Sequence, residues 1–265
     1  MMNSKTNHTF VICAYKESPY LEECIQSLQA QTVSSQILMV TSTPNEWIKK
    51  CSEKYGVPLE INTGEKGITQ DWNFAYHKAK TEYITIAHQD DIYLPEYAEH
   101  VINRLKKSKK PLIAFTDYGE LREGKVELHN QLLKIKRLML FPLRGNLFAS
   151  SRFVRRRILS MGCPICCPSV SFARNNLPAK IFRAGFRSDE DWEAWERLSR
   201  EQGDFIYVNE VLMYHRIHKG SETTAILEDQ ARSKEDYVMF YKFWPKRIAK
   251  ILAKIYAKSE NSNQL

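Results

Sequence analysis

The chain has 265 residues and a mass of 31.0 kDa, enough for one large domain or for one domain with a subdomain. Its formal net charge of +8 favours an acidic partner, such as nucleotide phosphates, an anionic membrane surface or nucleic acid. No run of about 18 apolar residues occurs, and polar residues 1–7 lead directly into a strand, so we expect neither a membrane span nor a signal peptide. The six cysteines, at apolar positions or irregular spacings, are typical of reduced thiols in a cytoplasm.

Strands and helices are predicted to alternate along the first 115 residues. Apolar runs predict the strands, and apolar residues at helical spacing predict the helices between them. The strands are expected at residues 9–14, 37–40, 57–61 and from 83, and the helices from residue 20, around 47–55, and across 70–80 and 95–107. Ser18 is predicted to cap the first helix, with Pro19 at its first position. This alternation favours an α/β fold with a mainly parallel sheet and helices on both faces.

Polar residues follow each of these strands, at Tyr15–Glu17, Thr41–Ser42, residues 62–67 and His88–Asp91. Ligands collect at the carboxyl ends of the strands of parallel sheets, so these four segments predict one ligand site. The last segment contains two adjacent carboxylates, which repel each other. A cation held between them and an anionic ligand would explain the pair. The alternative is a strand-to-helix turn in which the second aspartate caps the next helix.

The alternation of strands and helices ends after residue 115. Strands are predicted at residues 112–116, 169–172, 205–208 and 211–216, a surface hairpin at 120–128 and a helix at 188–200. Residues 129–160 are basic, and the usual interpretation of such a run is a solvated surface. The segment Cys163–Cys167 resembles half of a zinc site, but no second pair of ligands follows at a useful spacing, which favours a packing role.

Four acidic residues open the predicted helix at residues 188–200: Asp189, Glu190, Asp191 and Glu193. Acids at a helix N-terminus complement the macrodipole, and Ser188 could cap the helix. Four acids exceed what capping requires, however. A carboxylate held beside Trp192 and Trp195 is a reasonable general base for a sugar hydroxyl.

A cationic segment, His215–Ser221, follows the last predicted strand. Arg216 and His218 alternate along an extended chain, so both side chains could point to one face. A cation and an imidazole on one face suit a diphosphate, with or without a metal.

A basic amphipathic helix is predicted at residues 246–258, followed by a tail at 259–265. Its lysines recur every four residues, and its apolar stripe comprises Ile248, Ile251, Leu252, Ile255 and Tyr256. Such a helix could lie on an anionic membrane, where a lipid-linked acceptor would be found. The alternative is a helix docked on its own domain or on a partner, with its lysines in water.

Together these segments resemble a family-2 glycosyltransferase of the GT-A fold, from about Phe10 to Ser221. The resemblance rests on four fragments in this order: VICAYKESPYLEECIQSLQAQT, GITQDWNFAYHKAKTEYITIAHQDD, SDEDWEAWERL and YHRIH. It implies a mainly parallel Rossmann-like sheet flanked by helices, with a nucleotide-binding half at 1–115 and a smaller acceptor-binding half at 116–243. The basic helix and tail at 244–265 would follow this domain.

The resemblance implies an inverting, metal-dependent hexosyltransferase. Such an enzyme takes a nucleotide-diphosphate sugar, with Mn²⁺ or Mg²⁺, and transfers the sugar to a hydroxyl of a glycan or lipid-linked acceptor. We expect it to be cytoplasmic, with peripheral association at the inner face of the membrane as a further possibility, and to serve the synthesis of a bacterial-type cell-surface polysaccharide. Nucleic-acid binding rests on charge alone, and because no recognisable module accompanies the basic residues, we expect no nucleic-acid partner.

By position, the resemblance assigns Asp191 as the catalytic base, because it is the second acid of the pair Glu190-Asp191. The segment His88–Asp91 takes the place of the family's DxD motif. Asp90 would reach the metal, with His88 and His218 as further ligands. His88 replaces the usual first aspartate, and an imidazole is a suitable ligand for Mn²⁺.

The same carry-over predicts a nucleotide-sugar pocket made of residues from all four strand ends. Its members are Ala14, Tyr15, Glu17, Thr41, Ser42, Gly67, Asp71, Gln89, Asp90 and Arg216. The family commonly has two aspartates where this chain has Thr41-Ser42. Uridine recognition therefore stays open beside a thymidine or guanosine diphosphate sugar.

In the implied mechanism, Asp191 takes the proton of the acceptor hydroxyl as its oxygen attacks the anomeric carbon. The substitutions at His88, Thr41 and Ser42 keep a second interpretation open. In that interpretation the chain is a catalytically silent sugar-nucleotide-binding or scaffold protein with the same fold.

Overall fold

The structure, a computed structural model, describes residues 7–218 and 231–261. The end of the predicted cationic segment, at Lys219, Gly220 and Ser221, lies outside the described residues. The last part of the predicted tail, at residues 262–265, also lies outside them.

Nine strands within the described residues form one sheet. In chain order they are β1 (His8–Cys13), β2 (Gln36–Thr41), β3 (Leu59–Ile61), β4 (Tyr83–His88), β5 (Ile92–Tyr93), β6 (Pro111–Arg122), β7 (Lys125–Glu127), β8 (Val170–Ala173) and β9 (Asp204–Ile217). The order across the sheet is β3-β2-β1-β4-β8-β6-β9-β5, and β7 pairs with β6. The pairs among β1 to β4 and the pair of β6 with β9 are parallel, whereas β8 is antiparallel to β4 and β6. The predicted α/β architecture is confirmed.

Helices cover both faces of the sheet. They are α1 (Leu21–Gln29), α2 (Glu46–Tyr55), α3 (Ile68–Lys78), α4 (Tyr97–Lys107), α5 (Gln131–Leu140), α6 (Arg152–Leu159), α7 (Glu190–Leu198), α8 (Ala231–Tyr241) and α9 (Lys246–Asn261). Side chains alternate along β1, so Val11 enters one core cluster while Phe10 and Ile12 enter the other. A strand that is covered on both faces is apolar at nearly every position, which is why these strands are continuous apolar runs.

Helix α1 begins later than predicted, at Leu21. Ser18 does not cap it, because Tyr20 is the residue at the N-cap position and makes no side-chain cap bond. The Ser18 hydroxyl instead accepts a hydrogen bond from the Tyr20 N–H at 3.3 Å, which forms a turn before the helix. Pro19 therefore belongs to this turn.

Strand β9 differs most from the prediction. Residues 205–208 and 211–216, predicted as two strands, belong to one 14-residue strand whose register against β6 shifts between Val208 and Val211. Asn209 and Glu210, which lie between these valines, have the composition of a turn, but they form an irregularity within the strand. Because β9 pairs with β6 as far as Ile217, it carries His215 and Arg216 to the end of β4.

Helix α9 packs on its own domain, yet leaves part of its apolar surface uncovered. Ala249 and Ala253 are buried, and the Tyr256 ring lies 5.6 Å from the Trp192 ring, between centroids. Three isoleucines of the predicted stripe are exposed: Ile248, Ile251 and Ile255. The helix therefore docks on its own domain, as one alternative predicted, and its binding to a membrane stays a prediction. The division of the chain at residues 115 and 243 stays a prediction.

Candidate active site

A buried carboxylate joins the ends of β2 and β3 to helix α3. Asp71 accepts a hydrogen bond from the Ser42 hydroxyl at 2.6 Å through one oxygen and from the Asn62 amide at 2.7 Å through the other. All three side chains are buried. Gly67 lies one turn before Asp71 and has φ of +140°, where an added Cβ would lie 2.5 Å from the Gln70 amide oxygen. Polar residues predicted at separate strand ends therefore form one network.

The ends of β1 and β4 are joined by an amide side chain. Gln89 accepts from the Tyr15 N–H at 2.9 Å and donates to the Tyr15 carbonyl at 3.0 Å, which imitates the pairing of two strands. The Tyr15 ring and Glu17 remain exposed, whereas Ala14 is buried. Lys16 has φ of 54°, and its N–H donates to the Thr43 hydroxyl at 2.7 Å. This loop presents an exposed aromatic ring beside the buried Asp71 network.

Asp91 is fully buried and fastens β4 to β9. Its Oδ1 atom accepts from the Arg216 N–H at 2.9 Å and lies 3.0 Å from Nδ1 of His215. Burial alone would lower the pKa of His215, but the adjacent carboxylate of Asp91 raises it overall. The alternative in which Asp91 caps the next helix is wrong, because Glu96 stands at the N-cap position of α4. Asp91 thus joins the two strands through Oδ1, whereas its buried Oδ2 has no hydrogen-bond partner among the described residues.

Asp90 and His218 form a second pair at the same strand end. Oδ2 of Asp90 lies 3.0 Å from Nε2 of His218, and the Asp90 carbonyl accepts from the Arg216 Nε–H at 2.8 Å. Burial would raise the pKa of Asp90, but the hydrogen bond with His218 and the imidazoles of His88 and His215 lower it overall. Asp90 is therefore an ionised carboxylate beside an imidazole.

Arg216 and His218 both contact Tyr20, the residue at the N-cap position of helix α1. The Arg216 guanidinium lies 4.2 Å from the centroid of the Tyr20 ring and forms an ion pair with Glu23. The His218 ring lies 4.9 Å from the same tyrosine ring. Arg216 thus has a protein counter-ion in addition to its bond to Asp90.

His88 makes its own contacts beside the Asp90–His218 pair. Its ring stacks on Trp72 at 5.3 Å, and its Nδ1 lies 4.0 Å from Oδ2 of Asp91. Burial lowers the pKa of His88 despite the opposing carboxylates of Asp91 and Asp90, so the ring is neutral at pH 7. Its buried Nε2 has no hydrogen-bond partner in the part of the chain that the structure describes.

The fit of a divalent metal can be judged from these donors. Among residues 7–218 and 231–261, no group of three or more His, Cys, Asp or Glu side chains has the arrangement of a metal site. The structure brings together Asp90 and His218, a carboxylate and an imidazole that suit Mn²⁺ and leave coordination positions for a ligand. The predicted set of Asp90, His88 and His218 stays a prediction, and the two-residue pair fits a metal that also binds a diphosphate.

Asp191 lies in the first turn of α7 and is partly exposed. Its Oδ1 accepts from the Trp192 N–H at 2.6 Å, and the Cys163 thiol lies 3.9 Å from its Oδ2. Ser188 does not cap the helix, because its hydroxyl donates to Glu235 at 2.8 Å. Trp192 is buried in the core beneath the helix. Its ring therefore does not lie beside the Asp191 carboxylate, where the sequence placed it.

One electrostatic observation and one series of aromatic contacts connect the end of β4 with α7. Burial raises the pKa of the Cys166 thiol, Lys136 opposes that rise, and the carboxylates of Asp91 and Asp191 both add to it. Asp91 and Asp191 therefore lie within electrostatic range of the same thiol. A series of aromatic contacts joins the same two elements: His88 to Trp72 at 5.3 Å, Trp72 to Phe182 at 4.9 Å, and Phe182 to Trp195 at 6.3 Å.

Two residues of this region were not singled out from the sequence. The Lys136 ammonium on α5 donates to the Tyr118 hydroxyl of β6 at 2.9 Å, and it influences the same thiol as Asp91 and Asp191. In the sequence Lys136 is one of many basic residues between 129 and 160. Nothing in that pattern separates it from the exposed Lys134 two residues earlier.

Comparison with known proteins supplies relatives for the sequence and for the fold. The model of the family described as "Glycosyl transferase family 2" matches residues 9–174. An uncharacterized glycosyltransferase of Rickettsia typhi is 24% identical over 251 residues, which cover 91% of this chain and 72% of that protein.

Two solved structures are similar across most of the chain. S. aureus TarS 1-349 in complex with UDP-GlcNAc has a TM-score of 0.64 and 13% identity, over 93% of this chain and 70% of the other. The mannosyltransferase PcManGT from Pyrobaculum calidifontis, in complex with GDP-Man and Mn²⁺, has a TM-score of 0.62 and 13% identity, over 95% and 69%. In the described residues of this chain, no helix has the length and apolar character needed to cross a membrane.

Proposed function

This chain belongs to glycosyl transferase family 2 and has the GT-A fold, and from this premise we propose that it is an inverting, metal-dependent glycosyltransferase. It transfers a sugar from a nucleotide-diphosphate donor to a hydroxyl of a glycan or lipid-linked acceptor, in the synthesis of a cell-surface polysaccharide. The observation that carries the proposal is the pairing of Asp90 with His218 at the end of β4.

The donor nucleoside binds at the ends of β1, β2 and β3. Asp71 is held by Ser42 and Asn62 in a fixed orientation and presents a carboxylate to a base or a ribose hydroxyl. The exposed Tyr15 ring offers a stacking surface beside it. The neighbours crystallised with UDP-GlcNAc and with GDP-Man leave the nucleoside of this chain open between uridine and guanosine.

The donor diphosphate binds near Asp90 and His218. These two side chains would hold Mn²⁺ or Mg²⁺, and a bound ion would offset the negative charge that develops on the departing diphosphate. Arg216 fixes the Asp90 main chain through its carbonyl and adds a positive charge at the same strand end. The complex of PcManGT with Mn²⁺ supports this assignment of a cofactor.

Asp191 accepts the proton of the acceptor hydroxyl as the new glycosidic bond forms. The Trp192 N–H orients the carboxylate through Oδ1, and the proton moves to Oδ2, which faces the Cys163 thiol. Burial, followed by the nearby Asp191 carboxylate, raises the pKa of Cys163 well above its usual range. The thiol therefore stays protonated and adds no negative charge beside the base.

Calorimetric titration tests the donor site and the metal together. We expect UDP or GDP to bind more tightly with Mn²⁺ than with EDTA, and the variant Asp90→Asn to lose about tenfold or more of the Mn²⁺-dependent gain. Glu65→Gln, which alters an exposed acid at the same edge of the sheet, is the matched control and should bind as the wild type does. Absence of binding by every nucleoside diphosphate, with or without metal, would contradict the proposal.

Donor hydrolysis separates the enzyme from the silent alternative. An active glycosyltransferase with Mn²⁺ slowly releases the sugar of its donor to water in the absence of an acceptor. Metal-dependent binding of UDP-sugars or GDP-sugars without any hydrolysis or transfer would favour a sugar-nucleotide-binding protein with the same fold.

An anionic membrane surface is proposed as the location of the acceptor. No acidic residue occurs between Leu128 and Ser188, a segment that contains many Lys and Arg residues. Large apolar side chains are exposed along α5, α6 and the chain between them: Ile135, Leu138, Phe141, Leu147, Phe148 and Phe153. Apolar side chains among basic residues are the composition of a surface that binds anionic lipid.

Vesicle sedimentation tests this location. Helix α9 contributes buried alanines to the core, so point substitutions are a cleaner probe than truncation. We expect the double variant Leu138→Ser, Phe153→Ser to lose most binding to phosphatidylglycerol vesicles, while Ile61→Ser, an exposed residue of β3, binds normally. Equal sedimentation of all three proteins would remove the membrane proposal and leave the transfer reaction untouched.

A further inference from the structure

Lys136 is a partly buried ammonium whose hydrogen-bond partner is uncharged. It donates to the Tyr118 hydroxyl at 2.9 Å and lies 5.4 Å from the centroid of the same ring. Within residues 7–218 and 231–261, no carboxylate oxygen lies within the 4.0 Å of an ion pair with Lys136, although many other basic side chains do form ion pairs. Lys134, on the same helix, is exposed to water.

The position of Lys136 is central to the candidate active site. The Tyr118 ring that it contacts meets the edge of the His215 ring at 6.4 Å, and His215 is bonded to Asp91. On its other side lie the thiols of the loop beside Asp191. Burial raises the pKa of Cys163, Asp191 adds to that rise, and the Lys136 ammonium opposes it. Lys136 is thus linked through the Tyr118 ring to His215, and it influences the thiol that lies 3.9 Å from Asp191.

Burial disfavours the charged form of Lys136, although the neighbouring Tyr118, Tyr256 and Cys166 side chains raise its pKa overall, so the residue stays charged. A partly desolvated ammonium is tolerated when a carboxylate neutralises it, and a phenol hydroxyl does not. A neutral side chain such as glutamine could also donate to Tyr118, so this hydrogen bond does not explain why the residue is charged. The segment Leu128–Ser188 contains no acid that could serve as a counter-ion. An anion that is not part of the protein would complete the arrangement.

We infer that Lys136 binds an anionic oxygen group, a phosphate or a carboxylate, of a substrate of the candidate active site. The identity of that substrate rests on the proposed function, which offers two sources of the same chemistry. One is the diphosphate of the donor, and the other is an anionic group carried by the acceptor. In either case Lys136 orients the substrate between the strand end and the base, and it takes no part in proton transfer.

Anion binding without metal tests the inference directly. Inorganic pyrophosphate is titrated in EDTA into the wild type and into Lys136→Met, Lys136→Gln and Lys136→Arg. A charged hydrogen bond predicts binding about tenfold to a hundredfold weaker in the two neutral variants and largely restored in the arginine variant. Lys134→Met is the matched control and should bind pyrophosphate within about twofold of the wild type.

The glutamine variant keeps a donor for Tyr118, so it separates loss of charge from loss of packing. Thermal unfolding of each variant checks the fold, and removal of an uncompensated charge should leave the midpoint unchanged or raise it. Pyrophosphate binding that is unchanged in both neutral variants would overturn the inference. A midpoint that falls sharply in Lys136→Gln, with pyrophosphate binding intact, would assign Lys136 a structural role and overturn it as well.

Titrations with Mn²⁺ and UDP or GDP then identify the source of the anion. Weaker nucleotide binding in Lys136→Gln supports a contact with the donor diphosphate. If nucleotide binding is unchanged while pyrophosphate binding is lost, the anionic group belongs to the acceptor. Comparing the KM values of matched acceptors with and without a phosphate would verify this. If no nucleotide binds to the wild type but pyrophosphate binding still depends on Lys136, the proposed function fails while this inference stands.

Discussion

The half of the chain up to residue 115, which we propose binds the donor (the donor half), and the half that follows it differ in the partners of their charged groups. In the donor half, Asp71 is held by Ser42 and Asn62. In the second half, Lys136 has a neutral phenol as its hydrogen-bond partner, and Asp191 is partly exposed beside a thiol. A network in which each side chain has its hydrogen-bond partners fixes the shape of a nucleotide pocket before the nucleotide binds. The hydrogen-bond partner of Lys136 is neutral and Asp191 is partly exposed, so we expect the chemistry and the choice of acceptor to reside in the second half.

Asp191→Asn gives the strongest test of this contrast. We expect sugar transfer to fall by about 10²–10⁴-fold because the variant removes the proton acceptor, while UDP or GDP affinity with Mn²⁺ stays within about twofold. A radiolabelled-donor transfer assay and calorimetry measure the two properties separately. Glu201→Gln, an exposed acid just after α7, is the matched control. Retained turnover in Asp191→Asn would rule out the assignment of the base.

Acid should lower the free energy of unfolding because of His8 in the donor half. This histidine is fully buried between Ser35 and Thr85. Burial lowers the pKa of His8 to about 3, so between pH 6.5 and 3 the unfolded chain binds a proton that the native state does not. Stability is then full above pH 6.5 and falls as the pH decreases through this window, by about 1.4 kcal/mol for each pH unit.

Urea unfolding at several pH values measures this dependence. In His8→Asn the slope between pH 6 and 4 should decrease by about one proton relative to the wild type. His77, an exposed histidine, provides the control variant His77→Asn. Equal slopes in the wild type and His8→Asn would show that His8 is protonated in the folded protein.

Asp71→Asn should weaken donor binding more than it slows the chemical step, which is the opposite of the result expected for Asp191→Asn. Ser42 and Asn62 both donate to this side chain, and an amide would face one of them with a second donor. We expect UDP or GDP affinity to fall by about tenfold, with KM for the donor rising more than kcat falls. A loss confined to kcat would place Asp71 in the chemical step and would blur the contrast between the two halves.

The donor half was also the part that the sequence predicted well. Its strands are covered on both faces, so continuous apolar runs such as Phe10–Ile12 indicated them clearly, and parallel topology followed from the helices between them. In the second half, β9 was predicted as two strands because Asn209 and Glu210 have the composition of a turn. Pairing with β6 along the whole strand outweighs that local preference.

Individual site residues were harder to predict than strand ends. The sequence pointed to Ser42 and Asp71 separately, but their hydrogen bond depends on how α3 packs beside β2, which no local pattern encodes. The sequence did not distinguish Lys136 from the other basic residues around it. Its environment depends on Tyr118 and on the loop at Cys163–Cys167, which are distant in the sequence. Asp91 was recognisable as an unusual acid, yet its donors come from β9, more than a hundred residues later.

The contact of Asp91 with β9 has a consequence for building hybrid enzymes from this chain. A fragment that ended at residue 115 would lack His215 and the Arg216 N–H, the two donors that β9 supplies to this carboxylate. The nucleotide-binding part is therefore not an autonomous module. A chimera that exchanges acceptor specificity has to retain the distal portion of β9 from the original parent, and the segment suited to exchange is the intervening chain that includes α5 and α6.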